Sequence, residues 1–449
     1  MSRLILAAFV LTLPGNALTQ PPKGKSPPAD PIPTRSQRIN AKIDAEIADL
    51  EGLYKHLHSN PELSLQELQT AGRMARELKD LGFEVTTGVG GHGVVGILKN
   101  GPGPTVMVRT DLDALPVTEN TGLPYASKAR GRDKLGNECG IMHACGHDIH
   151  MTSWVGTARV LANMKDAWSG TLMFIGQPAE EIGTGARKML EDGLFQKFPK
   201  PDFALALHCS PITPAGSIAY REGQTLANVD SVDITIKGKG GHGSAPHMTV
   251  DPIVVAARVV LDLQTIVSRE MNPLEPAVVT VGSIHGGSKH NIIPGEVKML
   301  ITVRTFKDDV RKHVLEAIER IAKAAAAAAR APEPIVHIDA GEFTPATYND
   351  PPLTRRTAEA LKKAMGEDKV LPTPPVMGGE DFSYFGRAGV PIFIYWLGTI
   401  PAAKVEEANK PGGKPLPSLH SEFYAPDPVP SIRTGVFSMS HAVLNLLGK

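Results

Sequence analysis

The chain has 449 residues, too many for one ordinary hydrophobic core, so two domains are expected. Lys plus Arg and Asp plus Glu both total 47, which leaves no net charge to draw the protein to nucleic acid or an anionic membrane; a small-molecule or peptide-like substrate is expected. Three cysteines, Cys139, Cys145 and Cys209, are too few for a disulfide framework.

The N-terminus reads as an export signal. Arg3 precedes the apolar run 4–13, and Ala17 and Thr19 supply small residues before Gln20, so residues 1–19 are taken as a signal peptide of a periplasmic or secreted protein. The run is too short to span a bilayer as a mature helix. Residues 20–37, rich in proline, read as a linker. Ile39, Ile43, Ile47, Leu50 and Leu53 then recur at helical spacing, and a second periodic stretch over 65–81 stops at Gly82. Residues 83–86, 94–98 and 105–110 read as strands. The last is almost continuously apolar, as a strand covered on both faces should be, and it runs into Asp111 and Asp113.

A helix is expected over 151–164, with Cys145 and His147 in the loop entering it. A buried strand over 170–176 ends at Glu180 and Glu181, and a strand over 203–207 delivers His208. Near Gly223 the character changes. Strands at 229–236, 277–284, 292–305 and 335–338, with helices at 252–267 and 310–329, describe a ferredoxin-like unit of two β-α-β halves. The α/β pattern then returns with a helix over 353–365, a strand over 391–396, a loop carrying His420, and a helix over 431–447. The fold class is therefore α/β, with a mixed-sheet α/β/α catalytic domain, residues 38–222 and 341–449, interrupted by an α+β lid over 223–340.

Cys145 and His147, one glycine apart, can reach a common metal. Of the adjacent carboxylates Glu180 and Glu181, one can bind metal while its neighbour handles protons. With His208 and His420 the ligand set becomes Cys145, His147, Glu181, His208 and His420. Five ligands exceed what one catalytic zinc takes, which favours two metals bridged by the Cys145 thiolate. Two rival readings stay open on the residues alone: a structural zinc site on Cys139, Cys145 and His147, and a non-catalytic metal-binding homologue. Oxidation of Cys139 with Cys145 in an exporting compartment would destroy the bridge.

Five ordered motifs, His143-Ala-Cys-Gly-His-Asp148, Gln177-Pro-Ala-Glu-Glu181, Gly238-Lys-Gly-Gly-His-Gly-Ser-Ala-Pro-His247, His290-Asn-Ile-Ile-Pro294 and Met377-Gly-Gly-Glu-Asp-Phe382, carry a resemblance over residues 38–448. They resemble the amidohydrolase branch of the aminoacylase and carboxypeptidase metallohydrolases, which includes hippurate hydrolases, indole-acetyl-amino-acid hydrolases and N-acetyl-diaminopimelate deacetylases. The resemblance implies two divalent metals, zinc or manganese with cobalt or nickel as further candidates, on the five ligands above, and Glu180 as general base. It implies supporting roles for Asp111 and Asp113, substrate contacts from His242, Asn291, Arg304 and Gly379, and a homodimer through the lid. The implied reaction is hydrolysis of an N-acyl amino acid, with a metallo-exopeptidase acting on dipeptides as the alternative.

Overall fold

The structure, a computed structural model, describes residues 33–448. The export signal over 1–19 and the linker as far as residue 32 lie outside them. The first helix, Arg35–Ser59, begins inside the stretch read as linker, because Thr34 and Gln37 form a capping box that starts it early. Its expected face is buried at Ile39, Ile43, Leu50 and Leu53. Among the described residues no helix is long and apolar enough to cross a membrane.

The body is built on an eight-stranded sheet in the order Glu84–Val89, Gly93–Asn100, Gly170–Gln177, Thr105–Asp111, Phe203–Pro214, Ile392–Ile400, Ile218–Tyr220 and Val370–Pro372. The central strands pair in parallel, with Thr105–Asp111 between Gly170–Gln177 and Phe203–Pro214, and Ile392–Ile400 beside the latter. Their carboxyl ends open on one side, where α/β sheets place their sites. Helices Arg35–Ser59, His147–Ala162 and Pro428–Leu447 pack on one face, with Leu50, Trp154, Phe174 and Val436 in the shared core. Met107, Ile175, Ala204 and Phe385 fill the other face. The Thr105–Asp111 strand is thus buried on both sides, which explains its near-continuous apolar run.

The insert has its own core around Val232, Ile234, Val259, Ile301 and Ile318. Its antiparallel sheet runs Ala277–His285, Glu296–Thr305, Asp230–Lys237, Ile335–Ile338, and helices Pro252–Thr265 and Asp308–Ala328 complete the β-α-β-β-α-β order. The strand expected over 292–305 is broken. Pro294 cannot donate to a ladder, so Ile292–Ile293 turns away to pair with Gly241–His242, and the long strand starts at Glu296. Where the chain leaves and re-enters the body, Gly223–Leu226 pairs with Thr347–Asn349, joining the two passages into one ribbon.

Candidate metal centre

Gly146 decides how Cys145 and His147 are presented. Its φ of +82° lies in the left-handed region, and a Cβ there would meet Cys209 Sγ at 2.8 Å, so only glycine fits. The turn caps helix His147–Ala162, and His147 is its first residue rather than part of the entering loop. The helix fixes the ring. Nδ1 of His147 donates to the Asp113 carbonyl at 2.8 Å, which leaves Nε2 buried and without a hydrogen bond. His208 sits mid-strand, because pairing with Ile392–Ile400 extends that strand to Pro214. Its Nδ1 donates to the Cys209 carbonyl at 2.9 Å, and its Nε2 lies 3.5 Å from Cys145 Sγ. In both rings the backbone selects the tautomer that frees Nε2 for a metal.

Glu180 and Glu181 follow a sharp turn at Ala179, whose φ is +52°. The Asp113 carboxylate holds that turn, accepting from Glu180 N at 3.1 Å, Glu181 N at 3.0 Å and the Ser64 hydroxyl at 2.6 Å. The two side chains separate only in part, because Glu180 Oε2 and Glu181 Oε1 lie 3.8 and 3.7 Å from the same His147 Nε2. Glu181 reaches to 3.5 Å from His420 Nε2, and Glu180 joins Glu380 and Asp381. His420, itself at φ +66°, is held by a bond from its N–H to the Ala144 carbonyl.

Besides a group of His147, Glu180 and Glu181, two donor triads result, Cys145 with His147 and His208, and Cys145 with Glu181 and His420; within each, the donor atoms lie within 4.8 Å of one another. Cys145 belongs to both. The set suits divalent cations on two further observations. Glu181 Oε1 and His147 Nε2 are both buried without a hydrogen bond, and they face each other at 3.7 Å. Burial and the carboxylates of Glu181, Glu180 and Asp111 push the Cys145 thiol well up, so a cation is needed to make it a thiolate. All three cysteines are free, and Cys139 packs beside Leu63 and Ile141 in a cluster of its own.

Several polar groups at the centre were not singled out from the sequence. Arg109, fully buried, donates to Gln177 Oε1 at 3.0 Å, Asp111 Oδ2 at 2.9 Å, Glu380 Oε1 at 2.9 Å and Asp381 Oδ1 at 3.2 Å. The sequence signal was a lone cation in an apolar strand. His150 donates from Nδ1 to Asp111 Oδ1 at 2.8 Å and accepts from Cys209 N at 2.7 Å, so neither nitrogen is left for a metal. Its signal was the three-residue step from His147. Glu380 lies beside the expected Gly379. Burial, then Glu380, Glu181 and Asp381, push the Glu180 carboxyl well above its ordinary range, against the opposing pull of Arg109.

The triads open into a cavity of about 650 Å³ whose other wall is the insert. Val229, Val278, Val376, Met377, Trp396 and Leu419 give it apolar surface, and Gly379 and Arg304 also line it. The Arg304 guanidinium bonds only Thr302 Oγ1, at 3.0 Å, and has no carboxylate partner among the described residues. His242 and Asn291 are not brought to this cavity. His242 is exposed, with its Nδ1 bound to Ser244.

The sequence profile of peptidase family M20/M25/M40 matches residues 107–411. The chain belongs to this family. It is 38% identical to the hippurate hydrolase of Campylobacter jejuni over 76% of this chain and 86% of that protein. It is 38% identical to the N-acetyl-L-cysteine deacetylase of Bacillus subtilis over 75% and 77%, and 34% identical to thermostable carboxypeptidase 2 of Saccharolobus solfataricus over 90% and 97%. The crystal structure of a dinuclear metal-binding M20 peptidase from Bacillus subtilis superposes with a TM-score of 0.72 at 31% identity, covering 90% of this chain and 100% of that one.

Proposed function

We propose that this M20 protein is a metal-dependent amidohydrolase that cleaves N-acyl amino acids to a carboxylic acid and an amino acid. The observation that carries the reading is the pair of donor triads sharing Cys145, with a second buried carboxylate, Glu180, beside them. Cys145, His147, Glu181, His208 and His420 would hold two divalent ions, zinc or manganese by donor type. Bound there, such ions lower the pKa of water and polarise a carbonyl.

The chain's own groups supply the rest. Glu180 takes a proton from the attacking water and delivers it to the departing amide nitrogen. Arg304, half-buried and unpaired, offers a planar fork to the free carboxylate of the amino-acid portion. The apolar wall around Trp396 and Leu419 receives the acyl group. His242 and Asn291 reach a substrate only if the insert closes or a second chain presents its own insert, which is where a dimer would form. We place the enzyme outside the cytoplasm on the strength of residues 1–19.

The test is a hydrolysis screen of N-acyl amino acids, amino-acid amides and dipeptides with manganese, zinc and cobalt. Turnover of N-blocked substrates is expected. A strict requirement for a free α-amino group would replace this reading with an exopeptidase.

A further inference from the structure

We infer that residues 58–67, the end of the first helix and the link to the second, form a positioning bracket that holds the metal ligands and Glu180 in place; this rests on the two-metal reading above. Each of three polar side chains in the link reaches a residue adjoining the centre. His58, 1% exposed, places Nδ1 2.6 Å from Asp148 Oδ2 and Nε2 3.1 Å from Glu119 Oε1. Asp148 follows His147 in the first helical turn, where its other oxygen accepts from Ile149 N. Glu119 adjoins Asn120, whose N–H bonds the Glu422 carbonyl and so ties down the loop carrying His420. His58 thereby links segments from both triads.

Ser64 and Glu67 act on the other side. Ser64 donates to Asp113 Oδ2, and the same Asp113 carboxylate holds the amides of Glu180 and Glu181 while its carbonyl sets the His147 tautomer. Glu67 is buried, and its Oε1 accepts from Leu65 N and Ala179 N, both at 2.8 Å. Ala179 is the left-handed residue immediately before Glu180, a conformation an L-residue keeps only when its surroundings impose it. Glu62, in the same link, is a built-in contrast. Its carboxylate caps helix Leu68–Asp80 through Gln69 N and Thr70 N, and only its backbone carbonyl, which a side-chain substitution leaves in place, turns to the centre, accepting from Ala114 N.

The experiment compares Ser64→Ala, Ser64→Thr, Glu67→Ala, Glu67→Gln and Glu62→Gln in the full chain. Three quantities are read: affinity for Mn²⁺ added to metal-stripped protein, kcat and KM on a substrate the wild type turns over, and the Tm of the metal-stripped form. Ser64→Ala and Glu67→Ala should lose about 10- to 100-fold in Mn²⁺ affinity or kcat with KM changed less than about threefold. Ser64→Thr keeps the hydroxyl and Glu67→Gln keeps the accepting oxygen, so both should recover most of the loss. Glu62→Gln should lower Tm alone. The bracket is overturned if Ser64→Ala and Glu67→Ala keep wild-type affinity and kcat, or if they behave as Glu62→Gln does. A wild type that takes up Mn²⁺ but hydrolyses no amide sinks the functional reading alone, and the affinity measurements still decide the bracket. A wild type that takes up no metal sinks both.

Discussion

The body and the insert each supply one wall of the same cavity, and they supply it differently. On the body side Arg109, Asp111, Asp113, His147 and Glu380 are buried, and each is held by named partners from neighbouring strands or helices. On the insert side Arg304 has a single bond to a neighbouring hydroxyl, and His242 lies exposed on a short ribbon outside the cavity. A preorganised wall suits groups that must meet a developing charge without reorganising, whereas a loosely held wall suits groups that arrive with the substrate. Mutations on the two sides should therefore register in different measurements.

The largest effect is expected at Glu180. Glu180→Gln keeps the volume and removes the base, so kcat should fall by about 10²- to 10⁴-fold while metal content stays at the wild-type level. Metal loss of the same size as the rate loss would move Glu180 into the ligand set and weaken the division of labour with Glu181. Next comes Arg109→Leu, which acts on stability. It strips the counter-charge from Asp111, Glu380 and Asp381 in the interior, and breaking a buried pair of this kind costs about 3–5 kcal/mol. Denaturant unfolding that shows less than about 1 kcal/mol would mean the body wall is less rigid than its bonds imply.

His58 gives the comparison a pH dependence. Burial works against its charge, but Asp148 and Glu119 outweigh burial and raise its pKa from 6.5 to about 10. A folded-state value above the unfolded one stabilises the protein fully below pH 6.5, and the contribution is lost as pH rises through 10. It is on the order of 5 kcal/mol at its maximum. The Tm gap between wild type and His58→Gln should accordingly be widest near pH 6 and narrow steadily toward pH 10; a gap that does not change with pH would show that the imidazole is neutral throughout.

Much of the body wall was legible because its signals are local. The Thr105–Asp111 strand announced itself by a nearly continuous apolar run, and the alternating pattern singled out Cys145, His147, Glu181, His208 and His420, although His147 proved to open a helix and His208 to sit mid-strand. What escaped was held by distant pairings. Arg109 interrupts that same apolar run, and its meaning depends on Glu380, which the chain supplies some 270 residues later. His58, Ser64 and Glu67 looked like an ordinary link between two helices, because their partners Asp148, Asp113 and Ala179 are neighbours only after the sheet has formed. In the insert the order of elements was readable from period alone. The break at Pro294 was a signal in plain view, and it separates the His242 ribbon from the sheet.

The smallest effect is expected where the two regions touch. Arg387, on the body helix Ser383–Arg387, donates to both oxygens of Asp308 at the start of the insert helix Asp308–Ala328, at 2.8 and 2.6 Å. The geometry is bidentate, yet the side chains are 47% and 67% exposed, so water and salt compete for both. Arg387→Ala should cost under about 1 kcal/mol of stability, and that small loss should disappear in about 1 M salt, where the screening length is near 3 Å. Its interest lies in the contrast with Arg109. Both arginines bind carboxylates, but one removal leaves charges stranded in the interior and the other returns them to water. If Arg387→Ala proved as damaging as Arg109→Leu and insensitive to salt, the insert would be fixed to the body as firmly as the body wall is fixed to itself, and closure of the insert over substrate could not be the way His242 reaches the site.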